Sequence, residues 1–299
     1  MEQGSRGGHA LRGVTLSQIG NKLKGKDMKV VDKFGSLYEM TRYAEKNPHT
    51  NADSNSDSVW VDKGRTKSLA DAVKFSDEGW SEARPQIDKV LAEVQEQVGE
   101  RFAQVSRVQI GLAGGGVHMG RYLAGRPDCM VGFRRQPSTR HGRMVRVVYD
   151  FGANGSTDAE EMLKRGAIVA VLIDTLATLG LSVELVGETT VKIGDKGTHT
   201  TLVTLHDAKE QMDINALAYA VAHPSMLRRL TFAVREMSKF GLKAVESASH
   251  GRSVPITMAK ELEADVVIDR IEHGGNGALM MSDPAGWVVS TIRGLGLLD

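Results

Sequence analysis

The stretch Arg143–Val186 decides the fold and reads RMVRVVYDFGANGSTDAEEMLKRGAIVAVLIDTLATLGLSVELV. Its first part, Met144–Tyr149, alternates and is rich in valine, which is typical of a strand. A turn rich in Gly, Asn and Ser separates this strand from a long amphipathic helix that runs to Leu179. Ser182–Val186 then forms a second strand. Strand, helix and strand in this order predict a βαβ unit, and with it a Rossmannoid α/β fold with a parallel-type sheet flanked by helices.

Both ends of the helix in this unit carry recognisable capping residues. Thr157 with Glu160, or Ser156 with the acids that follow it, predicts the N-cap. Gly180 predicts the end of the helix. The turn before the helix lies at the carboxyl end of the first strand, which is where ligands bind in sheets of this kind.

Composition restricts the class of protein. The chain has 299 residues, of which 41% are hydrophobic and 25% charged, so it is long enough to bury a full core. Its net charge of +1 excludes a global electrostatic field, and a preference for nucleic acid must come from a local patch. The single cysteine, Cys129, excludes an internal disulfide and favours a reduced, cytoplasmic location. No apolar run reaches the roughly 18 residues of a membrane span, so no membrane partner is expected.

The remaining sequence predicts three regions. Residues 1–26 are Gly-rich and basic and predict a flexible arm. Residues 27–106 predict a mainly helical N-terminal region that opens on a short strand, and residues 107–299 predict the Rossmannoid domain. The helix predicted over Ala83–Val105 has an apolar stripe. That stripe predicts core packing, and the alternative is self-association in a structural or assembly protein that forms a homo-oligomer.

The strongest local charge bias lies between Arg121 and Arg146. This segment holds seven arginines, no lysine and a single acid, Asp128, and His141 adds a titratable cation. The planar guanidinium binds phosphate and carboxylate bidentately. The segment therefore predicts a surface for nucleic acid or an acidic protein partner, and the alternative is a solvated loop whose arginines pair with acids elsewhere. The predicted binding residues are Arg121, Arg126, Arg134, Arg135, Arg140, His141 and Arg143.

Oxygen ligands at predicted strand ends suggest a second kind of site. Asp150 and Ser156 follow the first strand of the βαβ unit, Asp207 follows the run at 202–205, and Asp269 follows the run at 266–268. If these ends meet, their oxygens suit a hard cation such as Mg²⁺. The alternative is that these residues only form turns and caps, in which case no cofactor is expected.

Nucleophile and phosphate-loop motifs are missing from the sequence. There is no Gly-x-Ser-x-Gly, His-Glu-x-x-His or Gly-Lys-Ser/Thr motif. The glycines at 114–116 do not have the spacing of a dinucleotide fingerprint. These absences favour a binding protein over an enzyme.

Two resemblances add to this interpretation. The stretch from Val147 to Val186 resembles the opening of a von Willebrand factor A-type domain, which binds Mg²⁺ through Asp-x-Ser-x-Ser at the end of its first strand. The matching positions are Asp150, Gly152 and Asn154, with Ser156 two residues further on. The segments GGGVHMGRYLAGRPDCM, RGAIVAVLIDTLATLGLSVEL and AHPSMLRRLTFAVRE are similar to uncharacterised proteins of bacteriophages and mobile elements. That similarity spans much of 36–299 and implies a phage-borne context in the host cytoplasm.

The sequence therefore predicts a non-enzymatic binding protein of a phage or mobile element, which contacts nucleic acid or an acidic partner through the arginine-rich segment. A Mg²⁺-dependent enzyme or adhesion module at the strand ends is the first alternative. A self-associating structural protein is the second.

Overall fold

The computed structural model describes residues 28–56, 66–102, 106–112, 116–117, 119–135, 143–155, 157–210, 213–270 and 275–297. The strands are β1 (Met28–Phe34), β2 (Ser106–Gly111), β3 (Gly116–Val117), β4 (Met130–Arg135), β5 (Met144–Asp150), β6 (Ser182–Ile193), β7 (Gly197–His206), β8 (Arg252–Val254) and β9 (Val266–Ile268). The helices are α1 (Leu37–Ala44), α2 (Leu69–Glu78), α3 (Arg84–Phe102), α4 (Met119–Leu123), α5 (Ala159–Thr178), α6 (Ile214–Ala222), α7 (Phe232–Glu236), α8 (Leu242–Ser247), α9 (Gly275–Ser282) and α10 (Pro284–Gly294).

The main sheet has the strand order β1–β7–β6–β5–β9, and β8 pairs with β6. β5 runs parallel to both of its neighbours, β6 and β9, and β1 runs parallel to β7. β6 and β7 form an antiparallel hairpin. The predicted α/β class, with a mostly parallel sheet flanked by helices, is confirmed.

The predicted βαβ unit is β5–α5–β6, and it lies at the centre of the sheet. The N-cap of α5 is Asp158, which forms a capping box with Glu161, so the predicted caps Ser156 and Thr157 were wrong by one or two residues. An aspartate at this position takes the cap because its carboxylate accepts from the main-chain N–H of Glu160 and also suits the positive end of the helix dipole. α5 packs against α3, α6 and α10.

The N-terminal region joins the same core. β1 adds to the main sheet beside β7, and the hydrophobic core runs from Phe34 to Leu297 without a break into separate clusters for the two predicted regions. Ile87, Val90 and Val94 of α3 belong to it, as the apolar stripe predicts. None of the described helices combines the length and apolar character needed to cross a bilayer.

Residues 256–264 cover the other face of the sheet. They pack over Val148, Val186 and Leu202. The sequence predicts a short helix here, and that prediction was wrong, because the segment forms bends and turns. The main-chain N–H groups of Thr257 and Met258 donate instead to the Glu188 carboxylate, at 2.7 and 3.1 Å.

A second, three-stranded sheet has the order β2–β4–β3 and lies next to α4 along the chain. Exposed apolar side chains of this sheet, of α4 and of the residue after β2 stand out on the described surface. They are Ile110, Leu112, Val117, Met119, Tyr122 and Leu123.

The helix predicted over Met226–Phe240 is interrupted. Met226–Thr231 is a π-helical turn that continues into α7, which ends at Glu236. π-turns of this kind widen a helix by one residue per turn and are frequent at functional sites. This turn brings Arg228 and Arg229 into the protein interior, although the sequence predicts a small basic surface site there.

Candidate functional site: an arginine-lined cleft beside the central strands

A cleft of about 660 Å³ lies where the loop after β5 meets β6, β8 and the helices that follow α6. Its size is that of a small-molecule site. It is lined by Asp53, Ala153, Asn154, Gly155, Val191, Leu227, Arg228, Phe232, Arg235, Glu246, Ser249, His250, Gly251, Arg252 and Ser253.

The wall formed by 249–251 has an unusual backbone. Ser249, His250 and Gly251 are three successive residues with positive φ, at 49°, 59° and 88°. A left-handed conformation costs a non-glycine residue of order 1 kcal/mol or more, so it persists only where the surroundings hold it. Here the His250 ring stacks on the Phe232 ring, with centroids 3.7 Å apart. The main-chain carbonyl of His250 accepts a hydrogen bond from Arg235.

Arg235 supplies a buried positive charge to the cleft. Arg235 is 2% exposed to solvent. Nη1 donates to the His250 carbonyl at 3.3 Å, and Nη2 donates to the Thr189 hydroxyl at 3.1 Å. Nε is buried without a hydrogen-bond partner, and no carboxylate in the described part of the chain forms an ion pair with this guanidinium. Burial lowers the pKa of Arg235 to about 10, while Asp150 opposes that shift, so the side chain stays charged at neutral pH.

Arg235 belongs to a group of four buried arginines, with Arg165, Arg228 and Arg229. The other three donate chiefly to main-chain carbonyls. Arg165 binds the carbonyls of Asp150 and Asp269, and Arg228 binds that of Thr157.

Two buried carboxylates are fully engaged elsewhere. Glu188 accepts from Thr190, Thr257 and Met258. Glu236 accepts from the main-chain N–H and hydroxyl of Ser54 and from Asn47. Neither carboxylate forms a direct ion pair with Arg235 in the described part of the chain.

Asp150 lies at the carboxyl end of β5, next to this charge. It is 1% exposed, and Oδ1 accepts from the Gly152 N–H at 2.7 Å, whereas Oδ2 is buried without a partner among the described residues. Burial raises the pKa of Asp150 to about 7, against the lowering effect of the Gly152 N–H, Arg165 and Arg270, and Glu188 raises it further. Asp150 is thus a carboxylate that burial makes easier to protonate, although it still acts electrostatically on Arg235.

His250 contributes no charge to the cleft. Burial, together with the nearby charge of Arg235, lowers the pKa of its imidazole to about 3. Its Nε2 lies 3.2 Å from Oδ2 of Asp53 and 3.7 Å from Oε1 of Glu236. A neutral ring leaves the Asp53 carboxylate uncompensated.

A family model described as a domain of unknown function (DUF7192) matches residues 18–299. The chain belongs to this family. No curated protein and no solved structure matches it.

The predicted metal ligands of this DUF7192 chain do not all meet. Asp150 and Asp269 follow neighbouring strands, and Arg165 binds both of their carbonyls. Asp207 lies at the opposite edge of the sheet, so its expected convergence was wrong. The reason is the antiparallel β6–β7 pairing: Leu202 faces Glu188, and Asp207 follows five residues later, roughly 16 Å away. Ser156 lies outside the described residues.

The chemistry of this edge also fits a divalent cation poorly. In the described ranges, no three His, Cys, Asp or Glu side chains are grouped as metal ligands require. Arg165 and Arg270 act electrostatically on Asp150, and Asp150 acts on Arg235. A positive environment of this kind repels Mg²⁺ and attracts anions.

The predicted arginine surface is divided between the two sheets of the DUF7192 chain. Arg121 and Arg126 both pair with Asp128, the latter at 3.1 Å. Arg143 lies 3.8 Å from Asp265 and donates to the Leu295 carbonyl. The main chain of Arg134 and Arg135 lies in β4, but their side chains, and all of Arg140 and His141, lie outside the described residues.

Arg165 and Arg235 were missed by the sequence analysis. A signal for Arg235 exists in the sequence, because Arg228 and Arg235 are seven residues apart and so share one side of an otherwise apolar helical segment. An arginine on an apolar face suggests a buried charge with a specific role. Arg165 has no such signal, since it follows Lys164 near the polar start of α5.

Proposed function

We propose that this protein is a binding protein that takes an anionic group of its ligand into the cleft, with Arg235 as the buried cation that receives it. The observation that carries the proposal is the unpartnered, buried Nε of Arg235, a residue that is 2% exposed and lines the cleft. Burying a charge without a counter-ion is costly, and a bound anion removes that cost.

The available chemistry suits a carboxylate or a phosphate. Arginine offers such groups two parallel N–H donors, and these charge-assisted hydrogen bonds are about twice as strong as neutral ones. Arg228 and Arg252 line the same cleft and add positive charge. The buried position strengthens each of these interactions, because the local dielectric is low.

His250 is not suited to act as a general base in the cleft. An imidazole whose pKa is lowered to about 3 by burial is a weak base at neutral pH. General base catalysis works best with a pKa near the operating pH. The one imidazole in the cleft lining therefore supports a role in shaping the site.

Anion titration of the wild type and of Arg235→Gln tests this proposal. Calorimetry with inorganic phosphate and with acetate at low ionic strength is expected to give at least about thirtyfold weaker binding to the variant, since a hydrogen bond to a charged group contributes about 2 kcal/mol. Arg235→Lys keeps the charge, loses the planar fork and is expected to lie between the two. Arg293→Gln, an exposed arginine of α10, is the matched control and is expected to bind as the wild type does.

The same titration contains the results that oppose the proposal. Unchanged anion affinity in Arg235→Gln, or no anion binding by the folded wild type, contradicts it. Mg²⁺ is expected to leave the thermal midpoint of the wild type unchanged. A Mg²⁺-dependent rise that Asp150→Asn abolishes favours the alternative metal site predicted from the sequence.

A second candidate function is nucleic-acid or acidic-partner binding through the arginine-rich segment. One observation favours it: the small sheet whose strand β4 contains Arg134 and Arg135 also exposes the apolar side chains of Ile110 and Val117. Binding to a labelled oligonucleotide should then fall steeply with salt and be lost when Arg134, Arg135 and Arg140 are replaced by Gln. Salt-insensitive binding, or none at low salt, argues against this candidate. A phage or mobile-element origin and self-association remain predictions from the sequence.

A further inference from the structure

We infer that the ligand of the cleft is a zwitterion, such as an amino acid or a short peptide, whose anionic end meets Arg235 and whose cationic end meets Asp53 and Glu246. This inference rests on the proposed function and specifies its ligand class. It follows from the distribution of charge along the lining.

Asp53 has a main chain that its neighbours fix in place and a carboxylate whose contact is with an uncharged ring. Its side chain is 54% exposed, and its contact with His250 at 3.2 Å is with a neutral ring. The position of its main chain is fixed by buried neighbours, because Arg229 donates to the carbonyls of Asp53 and Ser54, and Glu236 accepts from Ser54. A fixed acid at the cleft costs little additional entropy when it binds a cation.

Glu246 adds a second negative charge to the lining. It lies in the last turn of α8, is exposed and forms no ion pair within the described residues. A simple anion that enters to reach Arg235 is repelled by both Asp53 and Glu246. An ammonium or guanidinium group on the same ligand turns this repulsion into attraction, and complementary charge of this kind determines specificity.

The spacing of the two charged regions suits a small molecule. Arg235 Nη1 is 3.3 Å from the His250 carbonyl, and Asp53 Oδ2 is 3.2 Å from the ring of the same histidine. One histidine spans roughly 6 Å between these atoms, so the guanidinium and the carboxylate lie within about 13 Å of each other. An extended chain of five methylene groups between a carboxylate and an ammonium reaches across even this largest possible separation when hydrogen bonds are added at both ends.

Arg252 also lines the cleft. It is exposed on β8, beside Ser253. It can therefore attract a second anionic group of the ligand. Because Arg252 is exposed to solvent, its charge offsets those of Asp53 and Glu246 less strongly than the buried Arg235 would offset a bound anion. Arg235 and Arg228 are buried, so the exposed part of the lining contains two acids, Asp53 and Glu246, and one arginine, Arg252.

Paired ligands that differ only in the amino group test the inference. Calorimetry is expected to show that the wild type binds 6-aminohexanoate at least about tenfold more tightly than hexanoate, which corresponds to one further charged contact. The double variant Asp53→Asn, Glu246→Gln should lose this preference and keep or improve its affinity for hexanoate. Glu261→Gln, an exposed acid outside the cleft lining, is the control and should keep the preference.

The outcomes separate this inference from the proposed function. If hexanoate and 6-aminohexanoate bind equally and both depend on Arg235, the zwitterion inference is overturned and anion binding stands. If neither ligand, nor acetate or phosphate, binds the wild type, both are overturned. Glycine and acetate, compared in the same way, show whether the preference requires the longer separation.

Discussion

Replacing Arg229 by methionine is expected to lower the free energy of unfolding by about 4 kcal/mol. This guanidinium is 0% exposed and donates to the main-chain carbonyls of Asp53, Ser54, Ser56 and Thr66. Methionine fills much of the volume but leaves these carbonyls without their donor, and each unsatisfied buried group costs of order 1 kcal/mol or more. Urea unfolding of the two proteins measures the difference.

Arg252→Met is the matched control for this change. Arg252 is exposed on β8, so the same substitution there is expected to change the free energy of unfolding by less than about 0.5 kcal/mol. A loss below about 1 kcal/mol for Arg229→Met contradicts the assigned role. Arg229→Met should also show a weaker preference for 6-aminohexanoate over hexanoate, because Arg229 holds the main chain that presents Asp53.

Replacing Asp150 by asparagine is expected to stabilise the protein at about pH 8 by up to about 4 kcal/mol and to have little effect at about pH 4. Burial raises the pKa of Asp150 from 3.8 to about 7, so the folded state binds its proton more tightly than the unfolded state does. Stability therefore falls as pH rises through this window, and above it the full cost of the buried carboxylate is present. Asparagine carries no such charge and keeps an oxygen that accepts from the Gly152 N–H.

Denaturant unfolding at several pH values between these limits measures the effect. The difference between Asp150→Asn and the wild type should grow from about pH 4 to pH 7 and then level off. Asp195→Asn changes an exposed residue of the β6–β7 turn, and its effect should be small at each pH. If Asp150→Asn is the less stable protein at the alkaline end, the carboxylate has a counter-ion that outweighs its burial.

The sequence was sufficient for the local parts of the fold. The alternation in Met144–Tyr149 and the apolar face of the following helix predict β5–α5–β6, because the period of a strand or helix is a property of neighbouring residues. The position of Asp150 at a strand end followed from the same pattern. The N-cap was misplaced by a residue or two, since Ser156, Thr157 and Asp158 are all competent caps and tertiary contacts decide among them.

The sequence predicts the β6–β7 hairpin, from the runs at 189–193 and 200–205 on either side of Asp195–Gly197, but it does not give the register or the neighbours of strands that are distant along the chain. The approach of Asp207 to Asp150 depended on the direction of β7, and an antiparallel hairpin places it at the other edge. The buried charge at the cleft was not predicted for a related reason. The dense arginines between 121 and 146 attract attention in a sequence, but Arg121 and Arg126 share Asp128, whereas Arg235 is isolated in the sequence and lacks an ion pair in the described fold. Charge density along a chain does not indicate which charges are compensated.

The most direct test of the central claim is the location of a bound oxyanion. Anomalous diffraction from crystals of the protein soaked in tungstate, an electron-dense tetrahedral oxyanion, identifies every site that holds one. The account predicts a peak in the cleft with an oxygen within hydrogen-bond distance of Arg235 Nε, and its loss in Arg235→Gln. Peaks confined to the arginines between 121 and 146, with the cleft free of tungstate, contradict it.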